Sequence, residues 1–117
     1  MNPVRITLSR AKGWRIPPNT VKVSRPTIWG NPFTIKGARD AGYSGSDAGL
    51  AVICVTAFRA WVNGSDRDWM GDESEARRAL ILARLPEIRG KNLACWCRPG
   101  NPCHADVLLA LANESVP

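Results

Sequence analysis

Three of the chain's four cysteines and its single histidine fall within ten residues, as Cys95-Trp96-Cys97 and Cys103-His104. Three kinds of chemistry fit such a cluster. The first is a metal site. Cys95, Cys97, Cys103 and His104 have the ligand types and number of tetrahedral zinc. Against this, C-x-C-x5-C-H is not a familiar finger or knuckle spacing. Adjacent helical residues such as Cys103 and His104 also point about 100° apart. The second is a reactive thiol. Cys103, expected in the first turn of a helix, would have its thiolate favoured by unpaired backbone N–H groups and the helix dipole. His104 or Arg98 would assist, Cys97 would lie close by, and Asp106 would orient a partner. The same N–H groups would hold a phosphate or another anion. The third is packing: Cys95 and Cys97 as small buried hydrophobes of a central strand, with His104 bonded to a neighbouring backbone group. The catalytic candidates are therefore Cys103, His104 and Cys97, and the ligands of a zinc cofactor, if one is bound, Cys95, Cys97, Cys103 and His104. Cys54 reads as core.

A second unusual stretch runs Arg25-Pro26-Thr27-Ile28-Trp29-Gly30-Asn31-Pro32-Phe33. Pro32 restricts Asn31 to extended geometry and Gly30 permits close backbone approach, so the turn is rigid. Trp29 and Phe33 on such a turn, with Arg25 before and Lys36 after, are suited to stacking a nucleobase while holding phosphate. The alternative is a structural loop in which both aromatics plug the core. Lys12-Gly13-Trp14-Arg15 is a weaker basic-aromatic motif. The ligand-binding candidates are Trp29, Asn31, Phe33, Arg10, Arg15, Arg25, Lys36 and Arg98.

Charge supports an anionic partner. Of 16 Lys and Arg, eight lie in residues 1–39, which contain no Asp or Glu; the net charge is +6. A segment so biased attracts nucleotides or nucleic acid.

These residues need elements to position them. Val4 to Ser9 alternates as a half-buried strand, and Thr20 to Val23 as a second. Residues 26–45, punctuated by glycine and proline, are expected to be irregular. Ser46 caps a helix over Asp47 to Val62, whose apolar face recurs at Leu50, Ile53, Cys54, Ala57, Phe58 and Trp61; Asn63-Gly64 stops it. After a polar connection over 63–73, a second helix spans Ser74 to Leu85, with Ala76, Ala79, Leu80 and Ala83 facing inward and Pro86 ending it. A third strand runs Asn92 to Cys97. Asn101 caps a final helix, with Pro102 at its first position and Val107, Leu108, Leu111 and Ala112 buried. The order predicts a single small α/β domain over residues 1–117, a three- to four-stranded sheet flanked by about three helices. Its cysteine cluster lies at a strand–helix junction, where such folds bind ligands.

No apolar run spans a membrane and the N-terminus has no signal-peptide core, so a cytoplasmic chain with reduced thiols is expected. Cys95 and Cys97 are too close together to bridge each other comfortably.

Thr7-Leu8-Ser9-Arg10, Gly13-Trp14-Arg15, Trp29-Gly30-Asn31-Pro32-Phe33, Leu85 to Cys97, and Pro102-Cys103-His104-Ala105-Asp106-Val107-Leu108 together resemble the bacterial and phage family designated domain of unknown function 4326. The resemblance spans nearly the whole chain, and the pair WGNPF and CWC…PCHADVL is specific. It brings no established activity; it implies a complete member, with phage or prophage as one source. The residues themselves point to a small basic protein that binds, with or without modifying it, a phosphate-bearing nucleotide or nucleic-acid end at the Cys/His junction. The competing expectation is a zinc-stabilised, non-enzymatic module for DNA, RNA or protein.

Overall fold

The computed structural model describes residues 3–64, 72–98 and 100–113, without the side chains of residues 72 and 73. Leu93, Ala94 and Cys95 are buried in succession, as expected of a strand covered on both faces within a parallel sheet. That strand, β3 (Asn92–Cys95), lies between β1 (Arg5–Thr7) and β2 (Thr20–Lys22). Both neighbours run parallel to it, with Thr7 opposite Cys95 and Lys22 opposite Ala94. Backbone bonds continue the ladder past the strand ends, from Leu8 N to Cys95 O (2.7 Å) and from Val23 N to Ala94 O (2.9 Å). All three carboxyl ends therefore point the same way, and the cysteine segment leaves from the middle one.

Four helices complete a single α/β domain: α1 (Ile35–Asp40), α2 (Asp47–Val62), α3 (Asp72–Arg84) and α4 (His104–Asn113). A 3-10 turn at Leu85–Glu87 follows α3, where Pro86 prevents continuation. Helix α4 lies against β3 and β1, α2 packs on α4, and α1 and α3 pack on α2. Phe58, Trp61, Ile81, Leu93 and Leu108 form the centre of the core. Helix α2 starts as its sequence predicts, with the Ser46 side chain accepting from Gly49 N at 3.1 Å, and Asn63 and Gly64 (φ 88°) stop it. Among the described residues no helix is long and apolar enough to cross a membrane.

Three expectations change. The stretch 26–45 contains α1, capped by Thr34, whose hydroxyl accepts from Gly37 N at 2.9 Å, and supported by the Lys36–Asp40 ion pair. In α3 the alanine face is wrong: Ala76, Ala79, Leu80 and Ala83 are exposed, and Ile81 is the buried contact. Arg77 turns inward instead, donating to the carbonyls of Gly30 (2.9 Å) and Thr27 (3.3 Å), so α3 holds the Trp-Gly-Asn-Pro-Phe loop. Helix α4 begins at His104, later than Asn101-Pro102 suggested; the Cys103 carbonyl accepts from Asp106 N at its start. Most of the connection placed at 63–73, and Pro99 of the loop before α4, lie outside the described residues.

Candidate metal centre

Residues opposite one another in a parallel ladder share a face, so Arg5 and Thr7 lie on the face of Leu93 and Cys95. Cys97 continues that face beyond the end of β3. Cys103, immediately before α4, returns to meet it. The sulfurs of Cys95, Cys97 and Cys103 all lie within 4.8 Å of one another, with Cys95 and Cys103 at 3.1 Å. All the described cysteines are free thiols.

The three differ in charge. Hydrogen bonds from Cys103 and then Cys95, helped by the positive charge of Arg5, hold Cys97 down to about 3, against burial and the charge of Asp106. Cys103 is pushed far up, because donating to Cys95 and Cys97 fixes its proton and burial disfavours its charge. Its bond with Cys103 favours the Cys95 thiolate, but the hydrogen bond to Cys97 and burial outweigh this and raise it. The hydrogen bonds thus favour the thiolate at the partly exposed Cys97 over the two buried sulfurs. The thiolate assigned to Cys103 from its place near a helix start is displaced, because Cys103 is only 1% exposed and has two sulfurs to donate to.

His104 stands beside the sulfurs without joining them. Its Nε2 is 2.7 Å from the Val23 carbonyl, which only accepts, so Nε2 carries the proton. The Nδ1 lone pair faces Cys103 Sγ at 3.7 Å. Burial lowers its pKa and keeps the ring neutral. As a fourth equal ligand His104 is set back: it is not among the groups within 4.8 Å.

Arg5 is the residue that sequence reasoning missed. Its guanidinium donates to Asp106 (2.9 Å) and to the Arg98 carbonyl (3.1 Å), clamping β1 to both sides of the loop that carries Cys97 and Cys103. Thr7 adds a bond to the Cys97 carbonyl at 3.1 Å. The signal was its alternation with Ile6, but its use depends on β1 pairing with β3, which no local pattern encodes.

Above the sulfurs is a cavity of about 280 Å³. Cys95, Trp96, Cys97, Cys103 and His104 line one side, and Ser24, Arg25, Asn31 and Phe33 another. The two sequence motifs therefore converge on one space. No Asp or Glu is among the described lining residues. Arg25 is exposed and gives one guanidinium nitrogen to the Asn31 carbonyl at 2.6 Å. Asn31 is a brace: its amide donates to the Cys54 carbonyl (3.2 Å) and its Oδ1 accepts from Phe33 N (2.9 Å). Phe33 packs edge-on against Trp61 at 6.1 Å.

The other candidates do not gather here. Trp29 is 5% exposed and belongs to the core, which corrects its assignment as a stacking platform. Lys36 is paired with Asp40 on α1 and does not line the cavity; nor do Arg15 and Arg98, both exposed. Arg10 reaches the site indirectly, its guanidinium 4.6 Å from the centre of the Trp96 ring.

A family model described as a domain of unknown function (DUF4326) matches residues 6–114. No curated protein and no solved structure matches the chain.

Proposed function

Because the chain belongs to the DUF4326 family, whose description names no activity, its function has to be read from the site, and we propose a metal–thiolate centre with a small-ligand cavity. Cys95, Cys97 and Cys103 bind a soft divalent metal, zinc by ligand type, and the cavity above them takes a phosphate-bearing nucleotide or nucleic-acid end. The observation that carries this reading is the meeting of three sulfurs, from a strand exit and a helix start, within 4.8 Å. With Zn–S bonds of about 2.3 Å, tetrahedral sulfurs stand about 3.8 Å apart, so the cluster needs only a small rearrangement. With His104 set back, a metal held by the three sulfurs would keep a fourth position for a ligand, as in zinc sites that engage a substrate or water. Arg25 and the Ser24 hydroxyl, which has no partner among the described residues, are the groups available to an anion. The test is metal analysis of the reduced native protein and its cobalt(II) derivative. One metal per chain and thiolate-to-cobalt charge-transfer absorption, both lost in Cys103→Ser, are expected. A metal-free protein that gives no such absorption with cobalt overturns the reading.

A second reading has its own observation: Cys97 is partly exposed where Cys95 and Cys103 are buried, and hydrogen bonds from both of them lower its pKa. It makes Cys97 a nucleophile toward an electrophilic ligand in the same cavity. Stoichiometric alkylation of Cys97 in protein purified without metal supports it; tight zinc with protected thiols excludes it.

A further inference from the structure

Trp96 is the residue of the CWC motif that the metal centre does not use. It stands between Cys95 and Cys97 in the chain, is among the residues that line the cavity, and is 45% exposed. Trp29 and Trp61 are buried, and Trp14 is half-buried. A large indole left in water beside a cavity forgoes the burial that a tryptophan ordinarily gains. Its one ordered neighbour of opposite character is the Arg10 guanidinium over the ring.

Arg10 lies in the connection from β1 to β2, which also carries Lys12 and Arg15. All three are exposed, and none forms an ion pair among the described residues. On the other wall Arg25 is likewise without a carboxylate partner. Asp106, whose charge reaches Cys97, is bound by Arg5. The cavity wall therefore combines an exposed indole with Arg25, and the connection that supplies Arg10 to that indole carries further cations with no carboxylate partner among the described residues.

We propose that Trp96, backed by Arg10, is the nucleobase platform of this protein, and that its ligand is the end of a single-stranded nucleic acid. The terminal base stacks on the indole face opposite Arg10. Arg10, Lys12 and Arg15 follow the phosphates outward, and Arg25 receives the phosphate nearest the metal centre. The inference rests on the cavity proposed above as the ligand site, and assigns to Trp96 the role that its sequence context suggested for Trp29. A strand is favoured over a free mononucleotide because the exposed cations of the β1–β2 connection do not line the cavity and have no function toward one phosphate held inside it. Base–aromatic stacking combined with a basic track is the usual means of holding single strands without reading their sequence.

The test titrates the metal-loaded wild-type chain with a short oligothymidylate and, separately, with thymidine monophosphate, following fluorescence anisotropy of the labelled strand and tryptophan quenching. Oligonucleotide binding that weakens steeply with salt is expected. Trp96→Ala should weaken it by roughly tenfold or more, while Trp96→Phe restores most of the loss. Arg10→Ala combined with Lys12→Ala should flatten the salt dependence. Circular dichroism and metal content, unchanged in Trp96→Ala, separate loss of the platform from loss of the fold or centre. Wild-type protein that binds neither probe, or Trp96→Ala that binds the strand as well as wild type, overturns the proposal. Mononucleotide binding as tight as that of the strand overturns the assignment to a nucleic-acid end. Loss of metal from Cys103→Ser with strand binding retained counts against the linked centre and leaves the platform standing.

Discussion

Each residue of the CWC segment has a different environment, although the three are consecutive. Cys95 is packed in the sheet, Trp96 is turned to solvent, and Cys97 is the sulfur favoured as thiolate. The last point has a pH consequence. A thiol with its pKa lowered to about 3 stays ionised as pH falls, whereas an ordinary cysteine, with a reference value of 9.0, loses its thiolate about tenfold per unit. In reduced, metal-free protein, alkylation of Cys97 by iodoacetamide should stay nearly flat between about pH 8 and pH 5. Peptide mapping of the labelled protein measures this. A rate falling in parallel with free cysteine would show that Cys103 and Cys95 do not hold the charge there. The convergence of these sulfurs was legible from strand alternation and a short loop. Which sulfur the cluster favours as thiolate was not, since that depends first on which sulfurs donate to which, with the charge of Arg5 from the other end of the chain adding to it.

Among the elements, the Trp-Gly-Asn-Pro-Phe loop is a brace with one ligand-facing edge. Arg77 of α3 binds its carbonyls from one side, Asn31 ties it to α2, and Arg25 closes it by bonding the Asn31 carbonyl. Gly30 makes that closure possible. A Cβ there would stand 2.8 Å from Arg25 Cγ and 3.0 Å from Arg25 Cα, so the Arg25 backbone has to move. Gly30→Ala should destabilise the fold by about 1–3 kcal/mol, seen as a lower urea midpoint with an unchanged slope. It should also weaken ligand binding by displacing Arg25. A variant as stable as wild type would mean that the loop yields freely and is no brace. The need for glycine was readable from the turn; the partner it makes room for was not. The inward face of α3 was misread for a related reason: apolar periodicity selects alanines, whereas the loop carbonyls need the donors of Arg77.

At the scale of the molecule, the proposed metal joins the exit of the central strand to the start of α4. Cys95 and Cys103 belong to the same apolar core as Phe58, Trp61, Ile81, Leu93 and Leu108, and that core is mostly hydrocarbon, so metal removal should loosen the domain and leave it folded. A ligand present at a hundred times its dissociation constant stabilises the native state by about 2.7 kcal/mol. Chelation should accordingly lower the melting temperature by on the order of 10 °C. The same chelator should have no effect on Cys103→Ser. An unchanged melting temperature in wild type would argue against a metal at this junction, and complete unfolding against a self-sufficient core. The sequence by itself determined the α/β class, the capped helix α2, the apolar face of α4 and the cysteine cluster at a strand–helix junction, because periodicity, caps and short loops act between near neighbours. Only the tertiary structure decided that β3 lies between two parallel partners, that Arg5 clamps the cysteine loop, that hydrogen bonds among the sulfurs favour the thiolate of Cys97, and that Trp29 is buried while Trp96 is exposed. Pairing, burial and ionisation are set by residues distant in the chain. The cluster that first drew attention as a set of metal ligands thereby acquires its cavity, its counter-charge and its aromatic rim.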